Sequence, residues 1–211
     1  VLLSKALGCP VKVVWTREDD FSNDYFRPAS QCRIKAGLDK EGRLVAWSHK
    51  LAAPSVMSRL MPQFVKNNID PDAVSGTRDM PYVLPNHLVN YVMVNLPIPV
   101  GFWRSVGFSV NVFTVESFMD ELAHAAKKDP VQFRLDHMEK GGRPYKILSL
   151  LAKKGGWNRP TPKGRARGVA VTACFGSFAA HMAEVSVGKK GEIIVHKMIC
   201  ALDCGTAVYP D

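Results

Sequence analysis

From Met80 to Trp103 the chain runs through 24 consecutive positions without a formal charge. A membrane-spanning helix needs roughly 20 apolar residues, so the length alone would suffice. Four prolines (Pro81, Pro85, Pro97, Pro99) and three asparagines (Asn86, Asn90, Asn95) lie inside the stretch and make a continuous helix untenable. The segment is not a transmembrane span and belongs to a globular fold. A composition of 46% hydrophobic and 22% charged residues agrees with that and argues against wholesale disorder. A chain of 211 residues buries roughly 70% of its unfolded surface, enough for one substantial core or two small ones.

Periodicity divides the rest. Leu2–Leu7 reads as the end of a helix closed by Gly8, and Val11–Trp15 alternates as a strand should. Thr16-Arg17-Glu18-Asp19 resembles a helix N-cap or a tight turn. Residues 31–38 and 43–51 are strands joined by the turn Asp39-Lys40-Glu41-Gly42. Residues 52–79 show no clear period and are expected to form an irregular excursion with one helical turn near Asp70-Pro71. His87–Val94 is a further strand. Val110, Phe113, Val115, Phe118, Met119, Leu122 and Ala126 recur at three- and four-residue spacing, the core-facing stripe of a long helix. Asp129-Pro130 supplies an N-cap and first helical position for a second helix, with Val131, Leu135 and Met138 inward. A third runs from about Tyr145 to Lys154 and ends at Gly155-Gly156. Arg159–Gly168 reads as a basic Pro/Gly linker, followed by strands at 169–173, 180–187 and 192–202. The fold class expected is α+β, mixed sheets with packed helices, in two parts: residues 1–158 and residues 159–211.

Charge is uneven. The net +9 lies entirely between Lys127 and Arg167, where twelve basic residues meet three acids. Solvated helix faces account for this more simply than nucleic-acid binding, because no helix-turn-helix, RNP or zinc-finger pattern accompanies it. A freestanding basic module for nucleic acid or an acidic partner is the rival reading. The five cysteines contain no C-x-x-C pair and are read as free, buried thiols. His181 and His196 have no partner at metal-ligand spacing. Asp203-Cys204-Gly205 is read as a tight turn, not a nucleophile.

Arg104 is the only formally charged residue between Asp79 and Glu116. It sits in Pro99-Val100-Gly101-Phe102-Trp103-Arg104-Ser105-Val106-Gly107, ahead of the long helix. A guanidinium in apolar surroundings must be paired. Its fork suits anionic oxygens, flanking glycines allow close backbone approach, and a helix N-terminus follows. The competing reading is an ion pair that locks the loop.

The motifs together carry a resemblance. Pro10–Asp19, Asp79–Asn86, Pro99–Gly107, Glu116–Ala123, Ala183–Val187 and Ala201–Gly205 resemble, in order, the molybdopterin-binding (beta) subunits of the isoquinoline 1-oxidoreductase type in the xanthine dehydrogenase/aldehyde oxidase family. The resemblance implies a molybdenum-dependent oxidoreductase acting on an N-heteroaromatic or aldehyde small molecule with water as oxygen source. It implies molybdopterin as cofactor and an iron–sulfur small subunit as partner. It also implies that the loop matching Phe102, Trp103, Arg104, Ser105 and Gly107 approaches the cofactor. The family's catalytic Glu segment and pterin-gripping segments have no counterpart here. The chain is therefore expected to be an internal piece of a longer polypeptide, inactive and cofactor-free by itself. Tyr209-Pro210 stands where the family has Asn-Pro, which alters the turn contact expected there.

Overall fold

A computed structural model of the chain describes residues 1–209, so the Tyr209-Pro210 turn contact falls outside the described residues. The chain opens with α1 (Leu2–Leu7), ended by Gly8 in the left-handed region, and α2 (Arg17–Asn23). Thr16 and Asp19 form a reciprocal capping box on α2, each taking the other's backbone N–H. No residue of either helix is buried. Val11–Trp15 is not a strand, and Val14 and Trp15 are 74% and 66% exposed. Alternation alone cannot make a strand; a neighbouring ladder must take its N–H and C=O groups, and none lies alongside among the described residues.

Strands β1 (Gln31–Leu38) and β2 (Leu44–Ala53) form an antiparallel hairpin with Gln31 opposite Ala52. Asp39 holds its turn by accepting from the N–H groups of Glu41 and Arg43. The excursion that follows contains two pieces of helix that periodicity did not show, α3 (Met57–Leu60) and a 3₁₀ turn (Pro62–Phe64). It returns as β3 (His87–Met93), parallel to β2 with Trp47 opposite His87. A parallel pair needs a long crossover, and residues 54–86 supply it.

Then come α4 (Phe108–Ala125), α5 (Pro130–Asp136) and α6 (Arg143–Gly155). The α4 stripe holds at Val115, Met119 and Leu122, but Phe113 points outward and is 72% exposed. Asp129 caps α5 by accepting from the N–H groups of Val131 and Gln132, and its other oxygen takes the Trp157 indole N–H at 2.7 Å. Asp129→Ala is expected to cost about 1–2 kcal/mol, read as a lowered thermal midpoint with unchanged far-ultraviolet dichroism.

The second sheet, β4 (Ala166–Cys174), β5 (Ser177–Val187) and β6 (Ile193–Asp203), is antiparallel in that order. Strand β4 begins inside the stretch expected to be linker, because Arg165 and Arg167 both bind the buried Glu184 of β5 at 2.9 and 2.8 Å. One apolar core runs from Leu44 and Trp47 of the first sheet through Met119, Phe133 and Leu148 to Val171 and Met182 of the second. The α+β class holds: two three-stranded sheets share a core with packed helices. All five cysteines are free, but none is buried: Cys9, Cys200 and Cys204 are exposed and Cys32 and Cys174 half-covered. β6 is an edge strand, open to solvent over most of its length, and carries Cys200 outward. No helix among the described residues is long and apolar enough to cross a membrane.

Candidate functional site

The loop before α4 is fixed at its stem and free at its tip. At the stem, Phe26 N–H donates to Pro99 O at 2.9 Å and Gly101 N–H donates to Phe26 O at 3.0 Å. Arg59 donates to Val100 O at 2.9 Å while its guanidinium lies 3.8 Å over the Tyr25 ring. At the far end, Gly107 N–H reaches Asp72 Oδ1 at 3.3 Å. Both glycines are required by the chain's own contacts. A Cβ on Gly101 would sit 2.6 Å from Tyr25 Cβ, and one on Gly107 would fall onto the Asp72 carbonyl oxygen. Sequence alone suggests that those glycines allow close approach to a ligand; the structure uses them for close approach to Tyr25 and Asp72.

Between these anchors Phe102, Trp103, Arg104 and Ser105 are exposed. Among the described residues, no protein acceptor takes their four backbone N–H groups. Ser105 and Val106 both have positive φ, 69° and 44°. For a β-branched residue such as Val106 this is a true outlier, and left-handed backbone of this kind costs about 1–3 kcal/mol per residue and persists only where the surroundings impose it. Helix α4 starts at once, with no side-chain cap on its N-terminus, so its positive dipole end faces the loop.

Arg104 has no carboxylate partner among the described residues. Its guanidinium stays exposed to solvent and escapes the desolvation cost of burial, and the locking ion pair is not formed. The buried guanidinium is instead Arg134, which is fully enclosed. Its Nε donates to Glu116 Oε2 at 2.9 Å, one terminal nitrogen to Asp120 Oδ1 at 2.6 Å, and the other to Glu116 O at 2.8 Å. Glu116 also accepts from Tyr82 Oη at 2.6 Å and from Val171 N–H at 3.0 Å. Burial works against the Arg134 charge, but Glu116, Tyr82 and Asp120 more than compensate and hold it protonated. This knot joins α4, α5, the Tyr82 segment and β4 behind the loop. From sequence alone Arg134 belongs with the basic residues of a solvated face; its spacing from the inward Val131 of α5, and from Met138 just beyond the helix, was the available signal.

Five of the twelve basic residues of the Lys127–Arg167 span pair with acids: Lys128, Arg134, Arg143, Arg165 and Arg167. The other seven form no ion pair among the described residues. Asp203 closes its turn by accepting from Gly205 N–H at 3.0 Å, and the Arg143 fork holds its carboxyl down at about 2. Burial pushes the thiols of Cys32 and Cys174 up, away from nucleophilic use. His181 is exposed, and His196 Nε2 lies 2.8 Å from Ser186 Oγ. No cluster of His, Cys, Asp or Glu among the described residues suits a metal ion. Below the loop is a narrow cavity of about 40 Å³ bordered by Asp70, Asp72, Trp103, Val106 and Asn111. Outside it, an open cleft of about 510 Å³ is lined by Trp15, Phe21, Tyr25, Phe26 and Trp103.

The profile of the molybdopterin cofactor-binding domain matches residues 1–138. The isoquinoline 1-oxidoreductase subunit beta of Brevundimonas diminuta is 31% identical over 98% of this chain, which covers 27% of that protein. A membrane-bound aldehyde dehydrogenase (pyrroloquinoline-quinone) of Gluconacetobacter polyoxogenes is 30% identical over the whole chain, which covers 31% of it. The chain therefore spans less than a third of the length of these relatives. In fold it is similar to quinoline 2-oxidoreductase from Pseudomonas putida 86, with a TM-score of 0.66 and 18% identity over 92% of this chain and 29% of that one. The motif resemblance, the profile match and the shared fold agree, and the chain belongs to the molybdopterin cofactor-binding domain family.

Proposed function

We propose that this chain presents the cofactor-facing loop of a molybdenum hydroxylase large subunit that oxidises an N-heteroaromatic or aldehyde substrate. The observation that carries the reading is the tip of the Pro99–Gly107 loop. It combines four N–H groups without acceptors, an unpaired guanidinium and an uncapped helix N-terminus. That donor set fits an electron-rich group of oxygen and sulfur ligands: the fold takes neither the four amides nor the guanidinium, while the Ser109 and Val110 N–H groups at the helix start already donate to Val106 O and Gly107 O at 3.3 Å. The bound cofactor supplies the two-electron chemistry, with water as the source of oxygen. The chain's own residues hold and orient it: the amides of Phe102, Trp103, Arg104 and Ser105 donate hydrogen bonds, and Arg104 offers a fixed cationic fork. Gly107 lets the loop close onto its support, and Trp103 forms one wall of the open aromatic cleft.

In this reading residues 1–158 carry the loop and the described residues of the 159–211 part back it, through Val171 on Glu116 and the edge-on contact of Phe175 with Phe108 at 5.7 Å. A small-molecule substrate and an iron–sulfur small subunit complete the assembly, as the resemblance implies, and the cofactor is retained only in the complete protein. The rival basic module has no support among the relatives, which are oxidoreductases, and three of the arginines it would use are tied to Asp203 and Glu184. Arg104→Ala in the complete gene product is expected to lower molybdenum and pterin content or turnover by about ten- to a hundredfold. Unchanged metal content together with an unchanged rate would remove Arg104 from the site.

A further inference from the structure

We infer that Asp72 is a positioning residue for the cofactor-facing loop: through one hydrogen-bond acceptor and one carbonyl it holds the Ser105–Val106 turn in its left-handed form. The inference rests on the function proposed above and names the residue that shapes that site from behind. The support is built stepwise. Asp70, 1% exposed, accepts from Ser55 Oγ at 2.6 Å and Met57 N–H at 3.1 Å, which ties it to the end of β2. Its other oxygen accepts from Asp72 N–H at 2.8 Å and Ala73 N–H at 3.2 Å and so fixes the turn that carries Asp72.

From the opposite side Asn111, 2% exposed on the first turn of α4, donates to Ala73 O and Ser75 O, both at 2.8 Å. The turn is thus clamped between β2 and α4. Asp72 then offers its Oδ1 to Gly107 N–H at 3.3 Å, while its carbonyl oxygen lies against the Gly107 Cα where any side chain would collide. Gly107 directly follows the two residues with positive φ. Left-handed backbone at Ser105 and Val106 persists only when its surroundings over-determine it: within the segment Val106 N–H donates to Trp103 O at 2.8 Å and Gly107 O accepts from Asn111 N–H at 3.1 Å, and from outside it Asp72 holds their C-terminal neighbour. No other part of the fold uses that carboxylate: Asp72 forms no ion pair among the described residues.

Asp72→Ala and Asp72→Asn in the complete gene product separate the roles. Asn keeps an acceptor at the same place without the charge; Ala removes both. Two readouts are taken: hydrogen exchange of the Val106 and Gly107 amides, which donate to Trp103 O and Asp72 Oδ1, and molybdenum plus pterin retained on dilution. Asp72→Ala is expected to speed loop exchange about tenfold and to weaken retention about tenfold, with Asp72→Asn close to wild type in both. Loop exchange unchanged in Asp72→Ala overturns the inference, and so does equal loss in Asp72→Asn. If Asp72→Ala does not fold, Asp72→Glu, which displaces the acceptor by one methylene, is judged by the same exchange readout. A wild-type protein devoid of molybdopterin would overturn the proposed function, while the exchange readout would still decide whether Asp72 shapes the loop.

Discussion

Arg134→Ala is expected to cost about 3–5 kcal/mol, the range for removing one partner of a buried ion pair. Set against the roughly 5–15 kcal/mol by which a domain is typically stable, that is enough to unfold most of the population at moderate urea. The mechanism is desolvation. With Arg134 gone, Glu116 keeps a carboxylate that is 4% exposed as a residue, and only Tyr82 Oη and Val171 N–H remain to donate to it. Burial already pushes that carboxyl up, and the Arg134 guanidinium is the chief opposing influence. Asp120 behaves differently: its side chain is 45% exposed, so water replaces the lost partner and it adds little. A second variant, Arg134→Met with Glu116→Gln, removes the charge on both sides. It is expected to recover a large part of the loss, since a neutral amide still accepts from Tyr82 or Val171. Urea midpoints for both single variants and the pair give the coupling energy directly. A loss below about 1 kcal/mol for Arg134→Ala, the range of an exposed pair, would show that the knot is not a dry one.

The same residues show what the sequence discloses and what it hides. Helices α4, α5 and α6 and the strands were legible because each rests on a periodic apolar stripe or a local cap such as Asp129-Pro130. Arg134 was hidden in a crowd of basic residues, although it occupies a stripe position on α5; burial belongs to the face, not to the neighbourhood in sequence. Arg104 is the converse. Its charge-free surroundings in sequence suggested burial, yet the loop lifts it into solvent. Residues 54–86 were opaque for another reason. Their order comes from side chain-to-backbone bonds of Asp70 and Asn111 that span 13 to 38 positions and leave no period. Val11–Trp15 failed as a strand because pairing is a property of two segments. The donor-rich tip was found through motif and family resemblance, whereas its support at Asp72 came only from geometry.

Stability is expected to fall by about 3 kcal/mol as pH drops from 6.5 to 4 through His49 alone. His49 is fully buried on β2, and both ring nitrogens lack a partner among the described residues. Burial first, and the neighbouring His87 second, hold its imidazole down at about 4 against an ordinary 6.5. Between those values the unfolded chain binds a proton that the native chain refuses, so unfolding is favoured as protons are added. Each tenfold difference in proton affinity between the two states is worth about 1.36 kcal/mol. The contribution is complete above pH 6.5 and lost by pH 4. His137 supplies the contrast. Its Nδ1 donates to Phe133 O at 2.7 Å and its Nε2 accepts from Leu44 N–H at 2.9 Å, so each nitrogen has work in the neutral ring. His49→Leu removes the titrating group and two orphaned polar atoms together. It is expected to flatten the slope of stability against pH and to raise stability at neutral pH by about 1 kcal/mol or more. Carboxylates titrate over part of the same range, so the measurement is the difference between wild type and His49→Leu in urea unfolding from about pH 4 to about pH 7.5. Parallel curves would mean that His49 finds a proton acceptor in the native core.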